Sequence, residues 1–201
     1  SVWPILPVMK QAESNPRQRI IDTALHLFYQ QGFRATGVNQ VIAESQVAKA
    51  TFYSHFPSKE KLCVAYLQAR HEIWMGWLKE SVDNHTSPTT QLLGVFDFIR
   101  EWMRGCAFRG CAFLNIASEI PELDSEIRKE VIHHKDALRN YIGSLLADLE
   151  NSGVPLPVKD RKQVTDMIYV LVEGAIVASQ NYGQEWPVIV ARQATVSLLA
   201  L

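Results

Sequence analysis

Lys49, Thr51, Tyr53, Ser54 and His55 stand almost side by side in the chain. Each carries a group that reaches a phosphate oxygen or the edge of a nucleic-acid base: the ammonium as a cation, the hydroxyls and imidazole as donors or acceptors. A second cluster is Gly105-Cys106-Ala107-Phe108-Arg109-Gly110-Cys111, followed by Ala112, Phe113, Leu114 and Asn115. A thiol in the first turn of a helix has its pKa lowered by the helix dipole, and Arg109 adds to that, whereas a cysteine without such a role packs as a small apolar side chain. Cys106 and Cys111 are also near enough in sequence for a disulfide to join them across the glycine turn. The third group, Glu130 with His133-His134, is a weak metal candidate. Adjacent residues on a helix point about 100° apart, and a zinc pair needs a spacing of three or four. No metal and no cofactor is expected.

The first cluster needs a short helix held at a fixed angle, and its surroundings supply one. Asn15-Pro16-Arg17-Gln18 reads as a helix start, with Asn as cap, Pro at the first helical position and Gln18 in the capping-box position. Ile20, Ile21, Ala24, Leu25, Leu27 and Phe28 recur at helical spacing, and Gly32 ends the run. A second helix is expected over Val38–Ser45, burying Val41 and Ile42, and a third over Ala48–His55, with Phe56 closing a small core. Pro57 stops it, and Ser58 caps a long helix to about Val82. Two short helices around a tight turn, the second carrying the polar cluster, have the shape of a helix-turn-helix and its recognition helix.

The remainder is helical by period: Thr90–Gly105, Cys111–Ile120, Leu123–Asn151, Lys159–Tyr182 and a last helix after Trp186-Pro187 to Leu201. Strand alternation, repeats and low-complexity tracts are absent from the sequence. The fold class is therefore all-α: a three-helix head over residues 15–57 and a helical body over 58–201. Residues 1–14 are read as an arm without fixed structure. Within it Met9-Lys10-Gln11 looks like a natural start, and the apolar, proline-broken opening is not a signal peptide. The net charge of −1 hides an asymmetry, since residues 1–70 hold 8 Lys+Arg against 4 Asp+Glu and the rest 12 against 17. A basic head on an acidic body suits a head that meets phosphate and a body that avoids it. Three cysteines make no disulfide framework, so a reducing cytoplasm is expected, and no apolar run is long enough to cross a membrane.

Gly32, Ala35-Thr36, Ile42-Ala43 and Lys49-Ala50-Thr51-Phe52-Tyr53-Ser54-His55-Phe56-Pro57-Ser58-Lys59-Glu60 lie in one register. In that register the chain resembles the N-terminal domain of the TetR (tetracycline-repressor) family of bacterial transcription regulators. The resemblance implies that Lys49, Tyr53 and Lys59 hold the DNA backbone, with Thr36, Asn39, Gln46, Thr51 and His55 as the other polar residues facing the groove or its walls. The chain departs from the family pattern in having Gln46 where Gly is common at the turn, Ala48 where a Ser caps the recognition helix, and Ala50 in place of a second Gly. Losing a Ser cap costs about 1 kcal/mol of helix stability. Gln46 is either strained in a left-handed turn or free to reach the DNA.

For the body the resemblance implies an inducer pocket and a two-fold, four-helix interface. Trp74, Trp102, Cys111, Phe113, Asn115 and Tyr141 are the expected pocket residues, although aromatics at helical spacing also serve simply as core. A Gly-Cys followed by an acid such as Glu119 recurs in one branch of the family, some of whose members sense electrophiles or oxidants through thiols. Gly174, Ala175, Ala178, Ala191, Ala194 and Leu198 are expected at the homodimer interface, where small residues permit close helix approach. The expected partners are a palindromic double-stranded operator, a small organic inducer and a second copy of the chain. The rival from another class is a small Cys/His-dependent enzyme using Cys111 with His133 or His134. It has against it the lack of a phosphate-binding glycine loop, a nucleophile elbow or metal spacing.

Overall fold

A computed structural model describes residues 15–156 and 160–201, and the arm expected over residues 1–14 lies outside them. Among the described residues there are nine α-helices and no strand: α1 (Pro16–Gln31), α2 (Val38–Glu44), α3 (Lys49–His55), α4 (Lys59–Asp83), α5 (Pro88–Gly105), α6 (Ala112–Glu119), α7 (Glu126–Asn151), α8 (Arg161–Tyr182) and α9 (Trp186–Leu199). The all-α expectation holds, and the body contains six helices.

By its contacts the chain divides into two compact units. Among the described residues, 15–73 join Ala112–His134, and Trp74–Cys111 joins those from Lys135 to Leu201. The division does not fall at Pro57, because α6 and the adjoining turns of α4 and α7 belong with the helix-turn-helix.

In the first unit, Asn15 Oδ1 accepts the Gln18 N–H at 2.9 Å and Pro16 opens α1. The capping box is not completed, since the Gln18 side chain donates instead to Asp22 at 2.8 Å. The inner face of α1 buries Ile20, Ile21, Ala24, Leu25, Leu27 and Phe28. Gly32, at φ 93°, ends the helix as its C-cap. α2 and α3 both pack on α1, contributing Val41 and Phe52. Phe28 meets Phe33 and Tyr66 edge-on at 5.5 and 5.4 Å, which extends this small core to α4.

In the second unit, Ser87 and Thr90 form a full capping box at the start of α5, each hydroxyl accepting the other's backbone N–H at 3.2 Å. The expected apolar face of α5, from Leu92 to Met103, is buried. α8 and α9 form the most extensive helix pair, joined by a turn in which Gly183 adopts a left-handed φ of 63°. α5 packs on both of them.

Candidate nucleic-acid interface

α3 has one buried anchor and an otherwise polar exterior. Phe52 is fully buried and Phe56 closes the core behind it. Lys49, Ser54 and His55 are exposed, and Tyr53 is 44% exposed with its ring edge-on to Phe52 at 5.2 Å. Thr51 is half-buried on the same helix, and Ser54 donates to its carbonyl at 2.8 Å. Ala48 caps α3 without a side-chain bond, so its first N–H groups carry no side-chain cap. Asn39 and Gln46 are exposed as well.

The turn before α3 is strained. Gln46 has φ 54°, the left-handed conformation that the usual glycine would take at little cost. Arg19 braces the turn from α1, its Nε donating to the Ser45 carbonyl at 3.2 Å and one terminal nitrogen lying 3.5 Å from the Gln46 carbonyl. Sequence reasoning did not assign Arg19. Its place on the first turn of α1 gives no sign of a partner 26 residues away.

Of two further expected DNA contacts, Thr36 is placed away from solvent, whereas Lys59 stays partly exposed. Thr36 is fully buried, and its hydroxyl donates to the Gly32 carbonyl at 2.7 Å. It ties the α1–α2 turn and faces no groove. Lys59 is half-buried, with its ammonium donating to the Arg34 carbonyl at 3.4 Å and lying 4.4 Å from the Phe33 ring centroid. Burial pulls the Lys59 pKa down, against the opposing pull of Glu60 and Glu119. The backbone N–H groups of the same turn, from Phe33 and Arg34, donate to the two carboxylate oxygens of Glu119 at 3.0 and 2.6 Å.

The expected pocket residues fall in both units. In one, Trp74 and Trp102 are buried edge-to-face at 5.5 Å, with Phe98 packed on Trp74. Tyr141 is half-buried and its phenol is pushed up to about 12 by burial, with Asp83 adding to it. Cys111, also here, is buried and its sulfur lies 3.5 Å from the Lys135 ammonium, which both oxygens of Glu173 hold at 2.8 Å. In the other unit, Phe113 stacks face-to-face on His134 at 3.7 Å, and Asn115 is half-buried. All three cysteines are free, so no Cys106–Cys111 bridge is present.

His133 and His134 diverge as helix geometry requires, one exposed and one buried. His71 of α4 meets both: its Nδ1 lies 3.2 Å from that of His134, and its ring centre 4.8 Å from that of His133. Gln68, Lys129 and Glu130 line, with His71 and His133, an open cleft of about 690 Å³, from which the buried His134 is excluded. Among the described residues no three His, Cys, Asp or Glu side chains are arranged to hold a metal ion. Among the same residues, no helix is long and apolar enough to cross a membrane.

The expected interface residues also divide. Ala175 and Ala191 are only 4% and 5% exposed, turned into the core between helices, and cannot meet a partner. Gly174 is exposed, and Ala178, Ala194 and Leu198 are half-buried. The outward face of α8 is apolar instead through Met167, Val170 and Val177, and that of α9 through Ile189 and Val190.

Residues 20–66 match the family model described as bacterial regulatory proteins, tetR family. Residues 88–195, more than half of the chain, match the tetracyclin repressor-like C-terminal domain. The HTH-type transcriptional regulator LmrA of Bacillus subtilis is 26% identical over 180 residues, spanning 86% of this chain and 90% of that protein. The HTH-type transcriptional repressor NemR of Escherichia coli is 24% identical over 144 residues, 71% of each chain. Among solved structures, the TetR-family regulator SCO4454 of Streptomyces coelicolor superposes with a TM-score of 0.79 at 26% identity. The superposition covers 92% of this chain and 94% of that one.

Proposed function

The chain belongs to the TetR family of helix-turn-helix transcriptional regulators, and on that premise we propose that it is a homodimeric repressor released from a palindromic operator by a small organic molecule. Repression is suggested by relatives such as NemR, named a transcriptional repressor. The observation that carries DNA binding is the exterior of α3, where Lys49, Tyr53, Ser54 and His55 are all exposed around one buried phenylalanine. In this reading Lys49 and Tyr53 hold phosphates, while Thr51 and His55, with Asn39 and Gln46 beside them, face bases or groove walls. Phosphate contacts release counterions, so binding to random duplex DNA weakens steeply with salt. Lys49→Ala is expected to weaken binding to operator and random duplex alike and to reduce the salt slope by about one unit. Salt-independent binding by the wild type, or an unchanged slope in Lys49→Ala, would reject the assignment.

In this reading the inducer binds beside Trp74, Trp102 and Tyr141. The Trp102 indole N–H is buried and has no hydrogen-bond partner among the described residues, a donor that a ligand carbonyl would satisfy. Trp102→Ala is then expected to blunt induction. A second reading makes Cys111 the sensor, and the Lys135 ammonium 3.5 Å from its sulfur favours it, since a neighbouring cation promotes thiolate chemistry. Cys63 is the internal control, because burial pushes its thiol far up. If Cys111 is the sensor, iodoacetamide at neutral pH modifies it before Cys63, and Cys111→Ser stays on DNA under oxidant. Equal or slower labelling of Cys111 leaves the organic ligand as the signal.

A further inference from the structure

α2 ends in a Schellman turn. The Val47 N–H donates back to the Ile42 carbonyl at 3.4 Å and the Gln46 N–H to the Ala43 carbonyl at 3.2 Å, with Gln46 as the left-handed residue at φ 54°. Glycine takes that conformation freely, whereas a residue with a Cβ disfavours it. The turn is also gripped from outside. Arg19 of α1 donates from Nε to the Ser45 carbonyl at 3.2 Å and reaches the Gln46 carbonyl from a terminal nitrogen at 3.5 Å. A guanidinium presents its N–H groups as a rigid fork, so both carbonyls are held to one cation at a fixed spacing. For α1 this charge is misplaced. Arg19 is the fourth residue of its helix, and a helix start disfavours a cation. Helix stability gives no reason for an arginine at 19, whereas the turn gives two carbonyls.

Only residues 45–48 separate the end of α2 from the start of α3. Phe52 and Phe56 fix how deep α3 sits in the core, but the direction in which the chain enters it depends on the φ of Gln46. Ala48 adds no side-chain bond at the helix start. We propose that Arg19 is a positioning residue for DNA recognition: it holds Gln46 in a left-handed conformation that glycine would take unaided, and so sets where α3 begins. Arg19 acts from within the same compact unit, on the helix against which α2 and α3 both pack. The proposal rests on the DNA-binding reading for its purpose, though not for its geometry. Hydrogen bonds of this kind weaken steeply as they lengthen or bend, so a side chain without the fork leaves Gln46 free to relax and α3 free to shift.

The test uses the full chain as wild type, Arg19→Gln, Arg19→Lys, Gln46→Gly and the double variant of Arg19→Gln with Gln46→Gly. The DNA probes are a duplex selected from a random pool by the wild type and an unselected duplex, each titrated over a range of salt. If Arg19 merely touched a phosphate, Arg19→Gln would weaken binding to both duplexes and lower the salt slope by about one unit, and lysine would keep most of the affinity. Positioning predicts a different pattern. Arg19→Gln should bind the selected duplex about tenfold more weakly, with less than about twofold change on the unselected one and an unchanged slope. Arg19→Lys should lose as much, because a single ammonium does not reproduce the fork. In the Gln46→Gly background the loss should shrink to less than about twofold, the non-additivity of a coupled pair. Amide exchange at residues 46 and 47, measured without DNA, supplies the second readout. Arg19→Gln is expected to reduce their protection several-fold with Gln46 in place and by less than about twofold in the Gln46→Gly background. Equal losses on the two duplexes, wild-type affinity in Arg19→Lys, or an undiminished loss in the double variant would each overturn the proposal. A wild type that selects no duplex fails the DNA-binding reading itself, whereas the exchange result decides separately whether Arg19 holds the turn. Arg19 is half-buried near a helix start, and the helical signal of its variants should match the wild type.

Discussion

α3 and the outer face of α8 and α9 both turn large side chains to water, yet they offer a partner opposite chemistry. On α3 the exposed groups are an ammonium, a phenol, a hydroxyl and an imidazole, all of which water satisfies. On α8 and α9 they are hydrocarbon: Met167, Val170, Val177, Ile189 and Val190, with Val170 65% exposed. Apolar surface left in water forfeits about 25 cal/mol for each Å² that a partner could cover, so a contiguous stripe marks a protein contact. A polar face gains little by being buried against protein and much by meeting a polyanion that exchanges its counterions for it. On the proposed reading, the same chain separates reading DNA from pairing with a second copy by the side-chain chemistry of two faces.

The sharpest way to break this contrast is to put a charge on the hydrocarbon face. Val177→Glu would bury an unpaired carboxylate in the proposed contact, at a cost of several kcal/mol. The variant should run as a monomer by light scattering with its helical signal retained, and operator affinity should fall by at least about 100-fold, because one head reads one half-site. A dimer that survives this change would show that the apolar stripe serves something else. The polar face is tested by smaller losses. Thr51→Ala and His55→Ala should each cost about 1–3 kcal/mol against the best operator and less against random duplex, as base contacts do. Equal losses on both kinds of DNA would turn these residues into phosphate contacts.

How far each face could be read from sequence depended on which signal was used. Helix order and most helix ends followed from caps, prolines and period, as at Asn15-Pro16, although α5 starts at Pro88 behind a Ser87 cap and not at the expected Thr90. The α8 stripe was also present in the sequence: Met167, Val170, Gly174 and Val177 are spaced three, four and three apart. Choosing residues for small size, not by period, picked Ala175 and Ala191, one position off the exposed stripes and turned inward. Thr36 misled for a related reason. A lone hydroxyl near a turn is as able to tie the backbone as to face solvent, and here it ties Gly32. Glu119 was visible only as an acid following a Gly-Cys pair. Its partners are 85 and 86 residues earlier in the chain, a pairing that no local pattern encodes.

The smallest expected effect concerns the strain at Gln46. A non-glycine residue at φ 54° costs about 1–2 kcal/mol relative to an ordinary conformation. Glycine removes that cost but loses about 0.5–1 kcal/mol through the greater freedom of the unfolded chain. Gln46→Gly should therefore stabilise the protein by about 0–1.5 kcal/mol, raising Tm by at most roughly 3–6 °C for a chain of this size. What happens to DNA binding then tells why the strain is kept. Gln46 is exposed beside α3, so if its amide touches the operator, affinity should fall about threefold to tenfold while Tm rises, and random duplex should bind as before. Strain exchanged for recognition belongs to the polar face and has no counterpart on α8, where Gly174 and its apolar neighbours sit in regular helix. A variant that gains stability and keeps full operator affinity would remove Gln46 from the interface and leave its left-handed turn without a functional reason.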